Sequence, residues 1–320
     1  MTYEVGTADF LEARATISGL VHRTPLFSSR ALGKRTGFQV WLKAENLQKT
    51  GSFKPRGAFN KVRHMSQADC QRGVITASAG NHGQALAYVA ANEHIPGYVV
   101  MPEGANRSKV AAVKEYGAEA ILYGKVWDDA YARSQELAKE KGLVYVHPFK
   151  DRHILAGQGS VALEILEDLP DVEAVVVPIG GGGLIAGMAM AFRAANSKVR
   201  IVGVEPTGSA NMLTSRQQGR AVELSVVDTI ADGLATKKTD ADVFGIINAV
   251  VDELVAVTDA EMLSAIRFLL ERAKLMAEPA GAATTAALLS GRAPLKPGAK
   301  VVAVVSGGNF DVAGRLGLGY

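Results

Sequence analysis

The chain has 320 residues, 48% hydrophobic and 21% charged, with a formal net charge of +3. That balance excludes disorder and fibrous folds, and the length suffices for two core-bearing lobes. The 35 basic residues are scattered rather than gathered into a run that tracks a phosphate backbone, so no nucleic-acid partner is expected.

The N-terminal stretch M-T-Y-E-V-G-T-A-D-F-L-E-A-R carries acids and no apolar signal core. Cys70 is the single cysteine, which excludes an intrachain disulfide. A cytoplasmic protein is expected. Cys70 lies in the polar run Q-A-D-C-Q-R-G without a histidine nearby and reads as structural.

The first informative segment is K-T-G-S-F-K-P-R-G-A, residues 49–58. Ser52 reads as an N-cap and Pro55 as a first-turn residue, with Ala58, Phe59, Val62 and Met65 continuing the helix. The helix dipole opposes a lysine at this end by about 0.3 to 1 kcal/mol and welcomes a phosphate instead. Pro55 also biases Lys54 away from helical geometry, as a cap residue leaning into a cleft. Lys49 and Arg56 read as surface or structural cations.

Farther on, the runs G-V-I-T-A-S, G-Y-V-V-M-P, L-V-Y-V-H-P, E-A-V-V-V-P-I-G, V-R-I-V-G-V-E-P and K-V-V-A-V-V-S-G-G read as strands. N-H-G-Q-A-L-A-Y-V-A-A-N-E, R-S-K-V-A-A-V-K-E-Y-G and D-A-E-M-L-S-A-I-R-F-L-L-E-R-A-K-L read as helices. The alternation predicts an α/β fold of two lobes, each a mostly parallel sheet covered by helices. A small lobe over 73–148 is set within a larger one made of 1–66 and 149–320. The uncharged run from Ala174 to Phe192 is cut by Pro178 and four glycines into strand, loop and helix, so no membrane span is expected. The sequence ends soon after S-G-G-N-F-D, and no added regulatory domain is expected.

Ligands of open parallel sheets lie beyond the carboxyl ends of the strands. There, Gly180–Gly183 turn directly into a helix and aim several N–H groups at one point, as a phosphate seat does. Gly181, Gly183 and Ala186 also satisfy G-x-G-x-x-A, with Glu205 at the distance of a ribose-binding acid, so a nicotinamide-binding oxidoreductase is a competing reading. Lys54 favours another cofactor. A lysine beside a phosphate site forms a Schiff base with an aldehyde, which removes its full ammonium character.

K-T-G-S-F-K-P-R-G-A, A-S-A-G-N-H-G-Q-A-L-A, P-I-G-G-G-G-L-I-A-G, A-E-P-A-G-A and S-G-G-N-F-D follow in that order, after H-R-T-P-L at 22–26. Together they resemble the pyridoxal phosphate enzymes of the tryptophan synthase β fold, in the threonine dehydratase and serine racemase branch. The resemblance implies pyridoxal 5'-phosphate in the cleft between the lobes. By it, Lys54 is the Schiff-base lysine that moves the Cα proton, Phe53 lies against the pyridine ring and Asn81 meets the phenolic oxygen. Gly180, Gly181, Gly182 and Gly183 hold the phosphate, Glu278 contributes to the cofactor site, and Ser306 faces the pyridine nitrogen. The loop Ser78, Ala79, Gly80, Asn81 and His82 seats the substrate carboxylate, although His82 reads at least as readily as a structural histidine.

The implied reaction is dehydration and deamination of a 3-hydroxy amino acid, L-threonine or L-serine first, to a 2-oxo acid and ammonia. A neutral hydroxyl at the pyridine nitrogen gives a weaker electron sink than a carboxylate and favours elimination. Departure of the β-hydroxyl needs a proton, for which the cofactor phosphate is the implied acid. A serine racemase with side dehydratase activity is the alternative within the family. Ala79 argues against it, because racemases carry a serine at that place and a methyl group transfers no proton. The branch also implies a divalent cation, Mg²⁺ or Ca²⁺, at Glu205, the Ser209 carbonyl and Asn211, where the asparagine replaces the usual acid. A homodimer is expected because relatives are commonly dimers.

Overall fold

Valine-rich runs buried on both faces form the centre of the protein, whose computed structural model describes residues 5–105 and 107–310. In chain order the strands are β1 (Leu26–Ser28), β2 (Gln39–Ala44), β3 (Val74–Ala77), β4 (Gly97–Met101), β5 (Glu119–Leu122), β6 (Val144–Tyr145), β7 (Ala174–Pro178), β8 (Arg200–Pro206), β9 (Glu253–Val257) and β10 (Lys300–Val305). One sheet has the order β1-β2-β10-β7-β8-β9 and the other β5-β4-β3-β6. Every pairing is parallel except β1 with β2. All strands of the four-stranded sheet fall between Val74 and Tyr145.

β7 and most of β8 and β10 are buried along their length because helices cover both faces. On one face the helices Arg152–Asp168 and Gly183–Ala194 pack with Val175, Val177, Val302 and Val304. On the other, the helices Asp259–Phe268 and Pro279–Leu289 pack with Val176, Val202, Val301 and Val305. Each fully buried valine of this kind contributes about 1.5 kcal/mol or more from removal of apolar surface from water. The helix read over 259–275 is α-helical to Phe268 and continues as a π-turn through Ala273, with Lys274 left-handed at φ 59°. Among the described residues no helix is long and apolar enough to cross a membrane.

The helix read from residues 49–58 exists but starts differently. It spans Lys54–Arg63, with Phe53 as N-cap and Pro55 in its first turn, so Lys54 is its first residue rather than a cap. Ser52 is not the N-cap: it forms an antiparallel bridge to Gly307 after β10. Met65 lies beyond the helix, which His64 terminates.

Arg56 is fully buried, not a surface cation. Its guanidinium donates to both oxygens of Glu45 at 2.8 Å and to both oxygens of Glu164 at 2.7 and 2.9 Å. Lys43 Nζ, also buried, donates to Glu164 and to the Thr24 carbonyl. Two cations and two carboxylates thus neutralise one another behind the helix that presents Lys54.

Candidate active site

Backbone pairing assembles the site. The Ser52–Gly307 bridge and the Phe53 N–H to the Ser306 carbonyl (3.2 Å) lay the Lys54 segment beside the end of β10. Half-buried Lys54 donates through Nζ to the Pro148 carbonyl at 3.1 Å and lies 5.1 Å from the Phe53 ring centre. Burial draws the Lys54 pKa down to about 8, against an upward pull from the Glu278 carboxylate.

Asn81 opens the helix Asn81–Asn92 after β3 and reaches from the four-stranded sheet toward the other. Its Nδ2 donates to Glu278 Oε1 at 2.5 Å, and its Oδ1 accepts from Asn309 Nδ2 at 2.7 Å. Asn309 is held in turn by the Thr50 carbonyl at 2.8 Å. Glu278 precedes the helix Pro279–Leu289, and burial pushes its carboxyl up to about 7 although Asn81, Lys109 and Lys54 oppose the shift. Its Oε1 fills the place of a side chain at Gly307, where a Cβ would approach to 2.2 Å. Ser306 is buried, with Oγ only 3.4 Å from the Ala280 carbonyl, a long contact for a hydroxyl donor.

The glycine loop follows β7 and opens the helix Gly183–Ala194. Gly182 is left-handed at φ 91°. A Cβ on Gly181 would meet the Phe149 ring at 2.2 Å, and one on Gly183 would meet Phe149 Cβ at 2.7 Å. On its other side, Gly180 abuts the Gly233 carbonyl, which a Cβ would reach at 2.8 Å. The glycines are required by these close approaches as well as by the turn.

In the loop after β3, Ser78 Oγ accepts from the Gly80 N–H at 3.2 Å, and Ala79 packs against the cluster of Ala87, Val99 and Met101. His82 is buried and its Nε2 donates to the Val146 carbonyl at 2.9 Å. Burial, with Lys54 nearby, drives its pKa down to about 3. The ring is therefore neutral at pH 7, and it ties the start of the helix Asn81–Asn92 to the Val146 carbonyl after β6.

Glu205, at the end of β8, accepts from the Met212 and Leu213 N–H groups, both at 2.8 Å, and burial raises its pKa to about 7. Both oxygens thus cap the helix Asn211–Gln218, which leaves the ribose role read for Glu205 without support. Asn211 Nδ2 donates to the Val222 and Lys237 carbonyls, leaving its buried Oδ1 without a partner. The Ser209 hydroxyl donates to the Leu234 carbonyl at 3.0 Å.

Lys54, Phe53, Asn81, Glu278, Ser306 and the glycine loop thus converge through direct contacts or shared neighbours. Sequence reading missed the turn His147–Lys150 and Asn309, whereas the segment D-G-L-A-T-K-K at 232–238, read from the sequence as part of the substrate side-chain pocket, does lie against Gly180. Asn309 had a signal, since S-G-G-N repeats the form of S-A-G-N. The donor set suits pyridoxal phosphate: a lysine amine of lowered pKa, a glycine cradle at a helix N-terminus, and a buried Ser52 Oγ without a partner beside them.

Comparison with known proteins gives the same family. The profile described as "Pyridoxal-phosphate dependent enzyme" matches residues 17–307. An L-threonine ammonia-lyase of Thermotoga maritima is 48% identical over 304 residues, covering 95% of this chain and 75% of that protein. A catabolic L-threonine dehydratase of Staphylococcus aureus is 43% identical over 311 residues, covering 96% and 90%. The structure of maize serine racemase superposes with a TM-score of 0.95 at 35% identity, covering 98% of this chain and 97% of that one.

Proposed function

The chain belongs to the pyridoxal-phosphate dependent enzymes, and on that premise we propose that it is a hydroxy-amino-acid ammonia-lyase converting L-threonine or L-serine to a 2-oxo acid and ammonia. Lys54 is the observation that carries the reading: a half-buried amine with pKa about 8, joined to the glycine loop through the turn at Pro148 and Phe149. The threonine ammonia-lyase and dehydratase names of relatives 48% and 43% identical support threonine as first substrate.

Bound pyridoxal phosphate supplies an electron sink for charge developing at the substrate Cα. Lys54 would anchor it covalently, and its free amine would be the base at the substrate Cα. In the cofactor-free protein a pKa near 8 leaves about a tenth of that amine neutral at pH 7, the form that accepts a proton. The proton lost from Cα and the β-hydroxyl lost from Cβ leave together as one water. Hydrolysis of the resulting imine yields the 2-oxo acid and ammonia. Gly180 to Gly183 would hold the phosphate, Asn81 would meet the ring oxygen, Phe53 would lie along the ring, and Ser306 would face its nitrogen. Glu278 orients Asn81. Ser78, Ala79, Gly80, Asn81 and His82 form the loop that receives the substrate carboxylate, carried by the lobe 73–148.

A serine racemase with side dehydratase activity is the second reading, favoured by the superposition on maize serine racemase. Ala79 weighs against it because its side chain has no proton to give. A divalent cation at Glu205, the Ser209 carbonyl and Asn211 belongs to the proposal; the unpartnered Asn211 Oδ1 supports it, and the cation would share the Glu205 oxygens with the helix N–H groups they cap. So do a homodimer and a cytoplasmic location, the latter resting on the single cysteine.

The test is 2-oxo acid release from threonine, serine, 3-hydroxyaspartate and phenylserine by the yellow holoenzyme. Release from threonine or serine supports the reading. D-serine formed from L-serine at a rate comparable with pyruvate would replace it with the racemase.

A further inference from the structure

The segment between β6 and the helix Arg152–Asp168 is neither strand nor helix, yet it touches both the reactive lysine and the glycine loop. One side-chain atom organises it. His147 Nδ1 accepts from the Phe149 N–H at 3.3 Å and from the Lys150 N–H at 3.0 Å. Two N–H groups on one ring nitrogen require that nitrogen to carry no proton, so the ring is neutral with its hydrogen on Nε2. The ring is wedged edge-on between Phe149, 4.6 Å away, and Tyr145, 6.0 Å away. The next residue, Pro148, presents the carbonyl that receives Lys54 Nζ. The residue after that, Phe149, is the floor against which Gly181 and Gly183 pack.

We propose that His147 is a positioning residue for proton transfer: its unprotonated Nδ1 locks the turn whose Pro148 carbonyl cradles the Lys54 amine whenever the lysine is free. This rests on the reading of Lys54 as the cofactor lysine. A carbonyl that accepts one Nζ hydrogen fixes the direction of the remaining groups on that nitrogen, and a base held in one place takes a proton faster than one that wanders. Burial, reinforced by Lys150 and Lys54, lowers the His147 pKa to about 4, so the acceptor persists at neutral and alkaline pH.

Two variants separate the role from mere packing. His147→Leu removes the acceptor, whereas His147→Asn offers an Oδ1 able to bond the backbone two residues on, as in an Asx turn. In the cofactor-free full-length protein, competitive acylation of Lys54 followed by mass spectrometry reads the amine's titration. In the holoenzyme, steady-state kinetics read kcat and KM separately.

His147→Leu is expected to raise the Lys54 midpoint by at least about one unit, because the released amine swings toward solvent. It is also expected to lower kcat at least about tenfold while KM stays within about threefold. His147→Asn restores both. An unchanged midpoint and kcat in His147→Leu, or no restoration by His147→Asn, overturns the proposal. Should His147→Leu fail to fold, nitrogen NMR of the wild-type imidazole decides: an unprotonated Nδ1 at pH 7 supports the lock and a protonated one overturns it. A wild-type holoenzyme inactive on every hydroxy amino acid, with the Lys54 titration still shifted by His147→Leu, sinks the lyase reading and leaves the cradle standing.

Discussion

Replacing Arg56 with methionine is predicted to destabilise the protein strongly, although the side chain touches no reacting group. The guanidinium is fully buried, bonded to both oxygens of Glu45 and of Glu164. Its loss leaves two buried carboxylates facing one cation, Lys43, which bonds Glu164 and not Glu45. Breaking a buried pair from one side costs about 3 to 5 kcal/mol. At about 2 °C per kcal/mol for a chain of this size, Tm falls by about 6 to 10 °C. The pH dependence carries the sharper signature. In the wild type, desolvation pushes Glu45 up, but Arg56, Lys43 and Thr24 outweigh it and hold the carboxyl below its usual value. That stability is present above the unfolded carboxyl's pKa and is lost as pH falls through the folded one. Without Arg56, desolvation dominates and Glu45 favours a proton, so its stabilising form is the neutral one and stability is lost as pH rises. Urea unfolding at pH 8 and pH 5, followed by tryptophan fluorescence, measures both. A cost below about 1 kcal/mol, or a wild-type advantage larger at pH 5 than at pH 8, would refute the buried-network account.

Lys54→Ala is expected to abolish both the yellow colour and 2-oxo acid release, and borohydride reduction of the wild type is expected to leave the cofactor label on Lys54; a label elsewhere removes Lys54 from its role. In the cofactor-free protein the Lys54 pKa is about 8 against an ordinary 10.5. The unfolded chain thus binds more protons between those values, and stability is expected to rise with pH across that window relative to Lys54→Met; parallel profiles would contradict the assigned desolvation. Gly181→Ala places a Cβ 2.2 Å from the Phe149 ring, so equilibrium dialysis should find weaker cofactor binding. Phe149→Ala in the same chain should recover part of the loss if that contact is the cause. Exhaustive chelation is expected to lower thermal stability through the cation site at Glu205, and an unchanged Tm would remove the cation from the proposal.

The sequence by itself determined the α/β class, six of the strands, the order of the five loops and the residue types that chemistry requires. These are local properties: β-branched runs, glycines at a turn, a lysine beside a proline. It missed β1, β5 and β9 because they are short and partly exposed, and β2 because its burial of Lys43 breaks the hydrophobic pattern. Only the tertiary structure decided that Ser52 pairs with Gly307 instead of capping a helix, that Arg56 is neutralised by Glu45 and Glu164, and that Pro148 receives Lys54. Apart from Glu45, those partners lie 94 to 255 residues apart, because parallel strands are joined by crossovers and neighbours at their carboxyl ends come from remote parts of the chain. The charge of Lys54 and Arg56, two residues apart, shows the division. Composition makes both cations, and burial with or without a carboxylate in contact makes one a reactive amine and the other a structural pivot.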